Sequence, residues 1–137
     1  MTRPDLPGER LEIRVYYEDT DFSGRVYHAS YLRFLERGRT EWLRAIGFEH
    51  SALSGDQGLV FAVRGLEIEY LVGAVMDDLL HIETRLKGIR GAVIEFEQTI
   101  HRRSERIVEA KVRVVALRKG RATRVPAEMR ARLAAMR

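Results

Sequence analysis

Cysteine is absent from this sequence, which excludes disulfides and thiolate metal sites and leaves thiol usage silent about redox compartment. No apolar run approaches the roughly 20 residues that span a bilayer, and the opening MTRPDLPGER lacks the apolar core of a signal peptide. A soluble, cytoplasmic protein is therefore expected. There is also no internal repeat, low-complexity tract or linker, so residues 1–137 read as a single domain, with 1–10 flexible.

Acidic side chains are scarce at one end. Residues 101–137 carry 12 basic and 3 acidic groups, a net of +9, whereas residues 1–100 carry 12 basic and 17 acidic, a net of −5. A basic end of this kind suits nucleic acid, a membrane surface or a phosphorylated small molecule, because attraction to phosphate is common to all three; it also suits a solvated face without a partner. Aromatics are missing from Leu117 to Arg137, which argues against a stacking platform for single-stranded nucleic acid.

The patterning that is present points to an α+β chain. Leu11, Ile13, Val15 and Tyr17 alternate with polar neighbours, the period of a strand with one buried face. Tyr31, Phe34, Leu35, Trp42, Leu43 and Ile46 recur at helical spacing, and Gly47 is a suitable stop, so a helix is expected from about His28 to Ile46. Alternation returns at Leu66–Tyr70, with Leu59–Val63 extending that strand, and at Leu80–Lys87. Two more strands, Ala92–Arg102 and Ile107–Leu117, follow a hairpin marked by Gly88 and Gly91, and Pro126 opens a short terminal helix reaching Met136. A long helix that is apolar around much of its girth calls for a curved antiparallel sheet of about five strands wrapped about it.

Between the first strand and the helix lies YEDTDFSGRVYHASY, with three acids, a glycine, a histidine and three tyrosines. Gly24 allows a sharp turn, after which Asp19, Asp21 and His28 lie beside the start of a helix. Amides there lack intrahelical acceptors and favour negative charge, including an oxyanion formed during acyl transfer. Singly, Asp21 reads as a turn or capping residue and His28 as a structural histidine. Together, an acid and an imidazole joined by one tight turn suit hydrolysis. No second histidine stands at ligand spacing for a metal, neither Ser23 nor Ser30 sits in a nucleophile elbow, and no Gly-rich phosphate cradle is present. Tyr16 and Tyr17, on opposite faces of the strand, read as one core and one lining residue.

The run VYYEDTDFSGRVYHASYLRFLERGRTEWLRAIG, Val15 to Gly47, resembles the signature of acyl-CoA thioesterases associated with the bacterial Tol-Pal system, in the 4-hydroxybenzoyl-CoA thioesterase branch of the hotdog superfamily. Weaker similarity continues through FAVRGLEIEYL, Asp77–Leu80, RGAVIEFEQ and RVPAEMRARL. The resemblance implies a hotdog fold and a homodimer joined edge to edge, in some members paired again into a tetramer, with sites at the dimer interface. It implies hydrolysis of acyl-CoA to free acid and coenzyme A, with no metal or other cofactor. Asp21 takes the place of the catalytic carboxylate and His28 that of the histidine at the helix start. Tyr17 and Tyr27 are expected to contact the substrate, Leu59 to Val63 with the inner helix face to line the acyl pocket, and Arg90, Lys119, Arg121 and Arg124 to hold the coenzyme A phosphates. An acyl carrier protein in place of coenzyme A, and a location peripheral to the inner membrane, are compatible with the same family. Two departures stand out: Ala92 and Val93 occupy the place of a usual hydroxyl residue, and Gly73 that of a usual proline.

A hotdog module without activity, binding an acyl ligand or protein partner, is the competing expectation, and hydratase chemistry on enoyl-CoA is a further one. Binding without thiol release would identify the first, and product analysis the second.

Overall fold

Alternation of apolar and polar side chains resolves into one antiparallel sheet with a buried concave face. The computed structural model describes residues 10–136. Its strands are β1 (Arg10–Arg14), β2 (Leu59–Tyr70), β3 (Leu79–Arg90), β4 (Val93–Arg102), β5 (Glu105–Arg118) and the two-residue β6 (Arg121–Ala122). They run in the order β1-β3-β4-β5-β2, with β6 added to β5, and every pairing is antiparallel. The helices are α1 (Ser30–Ala45), α2 (His50–Gln57) and α3 (Ala127–Ala135). This is the expected α+β hotdog layout, with five principal strands covering α1.

The core forms where α1 meets the sheet. Tyr31, Phe34, Leu35, Trp42 and Leu43 of α1 are buried against Leu80 and Ile82 of β3, Ile94, Phe96 and Ile100 of β4, and the inner residues of β5. Gly38 marks the closest approach, because a Cβ there would lie 2.6 Å from Ile82 Cγ2. A buried polar group fills the middle of this contact. Gln98 donates to the Leu35 carbonyl and the Thr84 hydroxyl, both at 2.9 Å, and accepts from Arg39 at 3.0 Å. Gln98 thus has partners for both its oxygen and its nitrogen, which removes most of the cost of placing an amide in an apolar interior.

Several sequence expectations need correction. β1 ends at Arg14 rather than Tyr17, because the carbonyls of Tyr16 and Tyr17 accept from Asp19 and Thr20 and close a 3₁₀ turn over Tyr17–Asp19. Both tyrosines are exposed, so neither is a core residue. Gly88 lies within β3 at a register irregularity, and the hairpin turns at Gly91 and Ala92 instead, with Gly91 at φ 61°. α2 was not foreseen. Pro126 precedes α3 in an extended conformation rather than forming its first residue. Of the stretch expected to be flexible, residues 1–9 lie outside the described residues, and Arg10 opens β1 with a 2.6 Å bond to Glu83. Among the described residues no helix is long and apolar enough to cross a membrane.

Candidate active site

The segment from β1 to α1 is a tight, internally bonded loop. Its anchor is Asp19, whose buried carboxylate accepts the Tyr16 amide at 2.9 Å and the Arg33 guanidinium at 3.2 Å. The Asp19 carbonyl accepts from the Tyr27 amide at 2.8 Å and the Ser30 hydroxyl at 3.2 Å. Asp19 therefore fastens the loop to the first turn of α1. Asp21 and Arg25 form the neck of a turn, with the Asp21 amide donating to the Arg25 carbonyl and the Gly24 amide to the Asp21 carbonyl, both at 2.9 Å. Gly24 adopts φ 82° there, the left-handed conformation that glycine accepts without Cβ strain.

This turn presents the Asp21 side chain at the surface. Its Oδ1 accepts the Ser23 amide at 2.8 Å and the Ser23 hydroxyl at 2.5 Å, and its other oxygen has no partner among the described residues. The two Ser23 bonds, helped by the charges of His28 and Arg25, hold the Asp21 carboxyl below the ordinary carboxylate range against a small opposing effect of burial. An ionised carboxylate with one free oxygen is suited to attack a carbonyl or take a proton from water.

His28 closes the loop two residues before α1. Its ring lies 4.5 Å from that of Tyr27 and 6.2 Å from that of Tyr70, centroid to centroid, and the Tyr70 hydroxyl donates to the His28 carbonyl at 3.2 Å. The residue capping α1 is Ala29, which offers no side-chain cap. The amides of His28 and Ala29 make no hydrogen bond among the described residues. Two free donors thus stand at the positive end of a helix, on the loop whose Asp21 carboxylate feels the charge of His28, an arrangement able to stabilise an oxyanion.

The other expected site residues fall into two groups. Tyr17 and Tyr27 are exposed on the same loop, and Val63 faces a groove between α1 and β2 that Leu32, Leu35, Glu36, Arg39, Leu66 and Val112 also line. Arg90, Lys119, Arg121 and Arg124 are exposed at the far end of the sheet. Tyr70, which touches His28, pairs with Val108, whereas Arg121 pairs with Arg118. The ten residue steps along β5 between those points are about 33 Å. Within one protomer the four cations are not brought to Asp21. Other basic residues of the tail serve the fold: Arg118 donates to the Gln57 carbonyl, Arg130 to the Val125 carbonyl and Arg132 to the Ile46 carbonyl.

Sequence reasoning missed the roles of three residues that shape the site. Ser23 sets the ionisation of Asp21, and its position two residues after an aspartate was the available signal, that of a common side-chain turn. Asp19 proves to be the anchor, and Tyr70 reaches His28 from β2, a contact across 42 residues that no local pattern reveals. Among the described residues, no group of three or more His, Cys, Asp or Glu side chains is placed to hold a metal ion.

Residues 15–133 match the family described as the Thioesterase-like superfamily. An acyl-CoA thioesterase of Haemophilus influenzae, YbgC, is 46% identical over 114 residues, which are 83% of this chain and 84% of that protein. A probable thioesterase from Bartonella henselae has a solved structure that is 42% identical, with a TM-score of 0.77, covering 85% of this chain and 96% of that one. A hypothetical protein from Thermus thermophilus, 24% identical, shares the fold at a TM-score of 0.90 over 94% of this chain and 99% of its own. With nearly the whole chain matched and relatives above 40% identity, the protein belongs to the thioesterase-like superfamily and has its hotdog fold.

Proposed function

We propose that this protein hydrolyses acyl-CoA thioesters to a free carboxylic acid and coenzyme A. Asp21 acts as nucleophile or as base toward water, and the free amides at the start of α1 polarise the thioester carbonyl. The observation that carries this reading is the pairing of an ionised Asp21 carboxylate, one oxygen unengaged, with the unbonded amides of His28 and Ala29. A thioester oxygen set on those amides gains hydrogen bonds as it becomes anionic, each worth about 3 kcal/mol in the transition state. The reading requires no cofactor.

Within one protomer the four cations expected for the coenzyme A phosphates are not brought to Asp21, where Arg25 is the arginine whose charge acts on the carboxylate. β2 is a sheet edge of 12 residues whose Val60, Val63, Leu66 and Tyr70 are exposed, and long apolar edges favour pairing with another chain. Antiparallel pairing of two β2 edges lays the Leu59 end of one copy against the Tyr70 end of the other. Arg90, Lys119, Arg121 and Arg124 of one copy then lie toward the loop of its partner, so each site draws on both chains. The signature from Val15 to Gly47 supports placing the protein among the Tol-Pal-associated acyl-CoA thioesterases of the 4-hydroxybenzoyl-CoA branch.

Free-thiol release from short, medium, long and aromatic acyl-CoA compounds tests the activity. Asp21→Asn is expected to lower kcat/KM at least about 10²-fold. A folded Asp21→Asn protein with undiminished hydrolysis would remove this residue from the mechanism.

A further inference from the structure

The α1–β2 groove is apolar except for its charged residues, and the deepest of these, Arg39, forms no ion pair, although the charge of Glu36 one helical turn before it acts on it favourably. Its volume is about 420 Å³, within the range of small-molecule pockets. Leu32, Leu35, Val63, Leu66 and Val112 form its walls. Arg33 and Glu36 are exposed on its rim, where Arg33 pairs with Asp19 at 3.2 Å and Glu36 accepts from Thr40 at 3.4 Å. Arg39 is only 8% exposed. Its one hydrogen bond among the described residues goes to the neutral Gln98 at 3.0 Å, and no carboxylate lies within ion-pair distance. A buried guanidinium left with nitrogens to spare is costly unless an oxygen anion answers it, and its planar fork fits a carboxylate at two points.

Direction and distance connect this cation to the site at the helix start. From Ser30 to Arg39 the rise along α1 is about 13 Å, and helical side chains lean back toward the N-terminus. The groove begins at Leu32, within one turn of the first amides of α1, so an acyl chain whose carbonyl rested on those amides would run along Leu32 and Leu35 toward the guanidinium. A neutral chain end would leave Arg39 unanswered, and a short diacid would not reach it.

We infer that Arg39 is a specificity-determining residue that recognises the distal carboxylate of a medium-length ω-carboxyacyl thioester lying in the α1–β2 groove. This rests on the thioesterase reading above and narrows its substrate class. The terminal carboxylate accepts from the free guanidinium nitrogens while the methylene chain contacts the leucines and valines. Glu36, at the rim, repels an anion that stops short, which adds to the preference for a chain long enough to pass it.

The test compares kcat/KM for thiol release from succinyl-, adipyl- and suberyl-CoA with butyryl-, hexanoyl- and octanoyl-CoA, using the wild-type protein. One charge-assisted pair at this position predicts a preference of about tenfold or more for adipyl- or suberyl-CoA over the neutral chain of equal length, absent for succinyl-CoA. Arg39→Gln is expected to bring that ratio to about one, and Arg39→Lys to leave it intermediate. A ratio at or below one in the wild type overturns the inference, including the case in which a second copy's side chains fill the groove. An Arg39→Gln protein that lowers both substrates equally also overturns it, since that is the signature of a structural role. Absence of thiol release from every compound would instead defeat the thioesterase reading itself.

Discussion

The Asp21 carboxylate accepts both the amide and the hydroxyl of Ser23, at 2.8 and 2.5 Å, through the same oxygen. Both bonds favour the charged form, and they are the principal cause of the depressed Asp21 pKa. With the carboxylate as the working form, the acid limb of the kcat/KM profile falls below the ordinary carboxylate range. Ser23→Ala removes the larger of the two stabilising bonds, so the Asp21 pKa rises and the acid limb moves to higher pH. An unshifted limb in that variant would show that another group governs it.

His28 offers two different things to a substrate, a ring and a backbone amide, and substitution separates them. His28→Ala removes the ring and keeps the amide, whereas His28→Pro removes the amide as well. With the amide as an oxyanion donor, His28→Pro is expected to lower kcat by about 10²-fold beyond His28→Ala, the usual cost of one donor. Steady-state kinetics on one acyl-CoA, with circular dichroism to confirm folding, makes the comparison. Equal losses in both variants would assign the role to the ring.

The contact of Gly38 with Ile82 sets how closely α1 can lie on the sheet. A Cβ at Gly38 would also meet Thr84 Oγ1 at 3.0 Å and Gln98 Nε2 at 3.1 Å, so an added methyl presses on the apolar wall and on the buried polar group together. Overpacking of this kind costs about 1–3 kcal/mol, of which Gly38→Ala regains about 1 kcal/mol through helix propensity. Gly38→Ala is therefore expected to be destabilised, and Gly38→Val more so, in urea unfolding. Gly55 in α2 has nothing within 4 Å of such a Cβ; there Ala should raise stability by about 0.5–1 kcal/mol.

These contacts also mark where sequence patterns cease to inform. The strands were legible because each has one face on the core and one in water: Ile94, Phe96, Gln98 and Ile100 point inward, while Glu95 and Glu97 between them point out. α1 was legible because its apolar residues return at helical spacing and the loop before it is dense with chemistry. α2 was not, since His50–Gln57 buries only Leu53 and is otherwise one alanine with serine, glycine and polar residues; its clearest signal was Gly58, in the left-handed conformation that commonly ends a helix. The basic tail misled in a different way. Net charge cannot distinguish an arginine waiting for a phosphate from one bonded to a carbonyl of its own chain, as Arg118, Arg130 and Arg132 are. Nor does charge reveal that Lys119, Arg121 and Arg124 follow the end of β5 that lies about 33 Å along the strand from the pairing of Tyr70 with Val108.

That separation yields a decisive experiment on how the site is assembled. If each site takes Asp21 from one copy and coenzyme A contacts from the other, Asp21→Asn and the double variant Arg121→Glu/Arg124→Glu are both weak enzymes alone, the second through a raised KM. When they are mixed and allowed to exchange subunits, a mixed dimer contains one site with both defects and one with neither. Random exchange makes half the dimers mixed, so about a quarter of wild-type activity should return. Sites built within single copies would each keep one defect, and mixing would restore nothing. The β2 edge is the route by which the two copies meet, so Val60→Lys with Leu66→Lys, which place charge on that edge, should yield a monomer in sedimentation equilibrium and abolish the recovery. A monomeric wild-type protein that is fully active would remove the second copy from the site and return the search for coenzyme A contacts to the cations of the loop itself, Arg25 beside Asp21 and Arg33 beside Asp19.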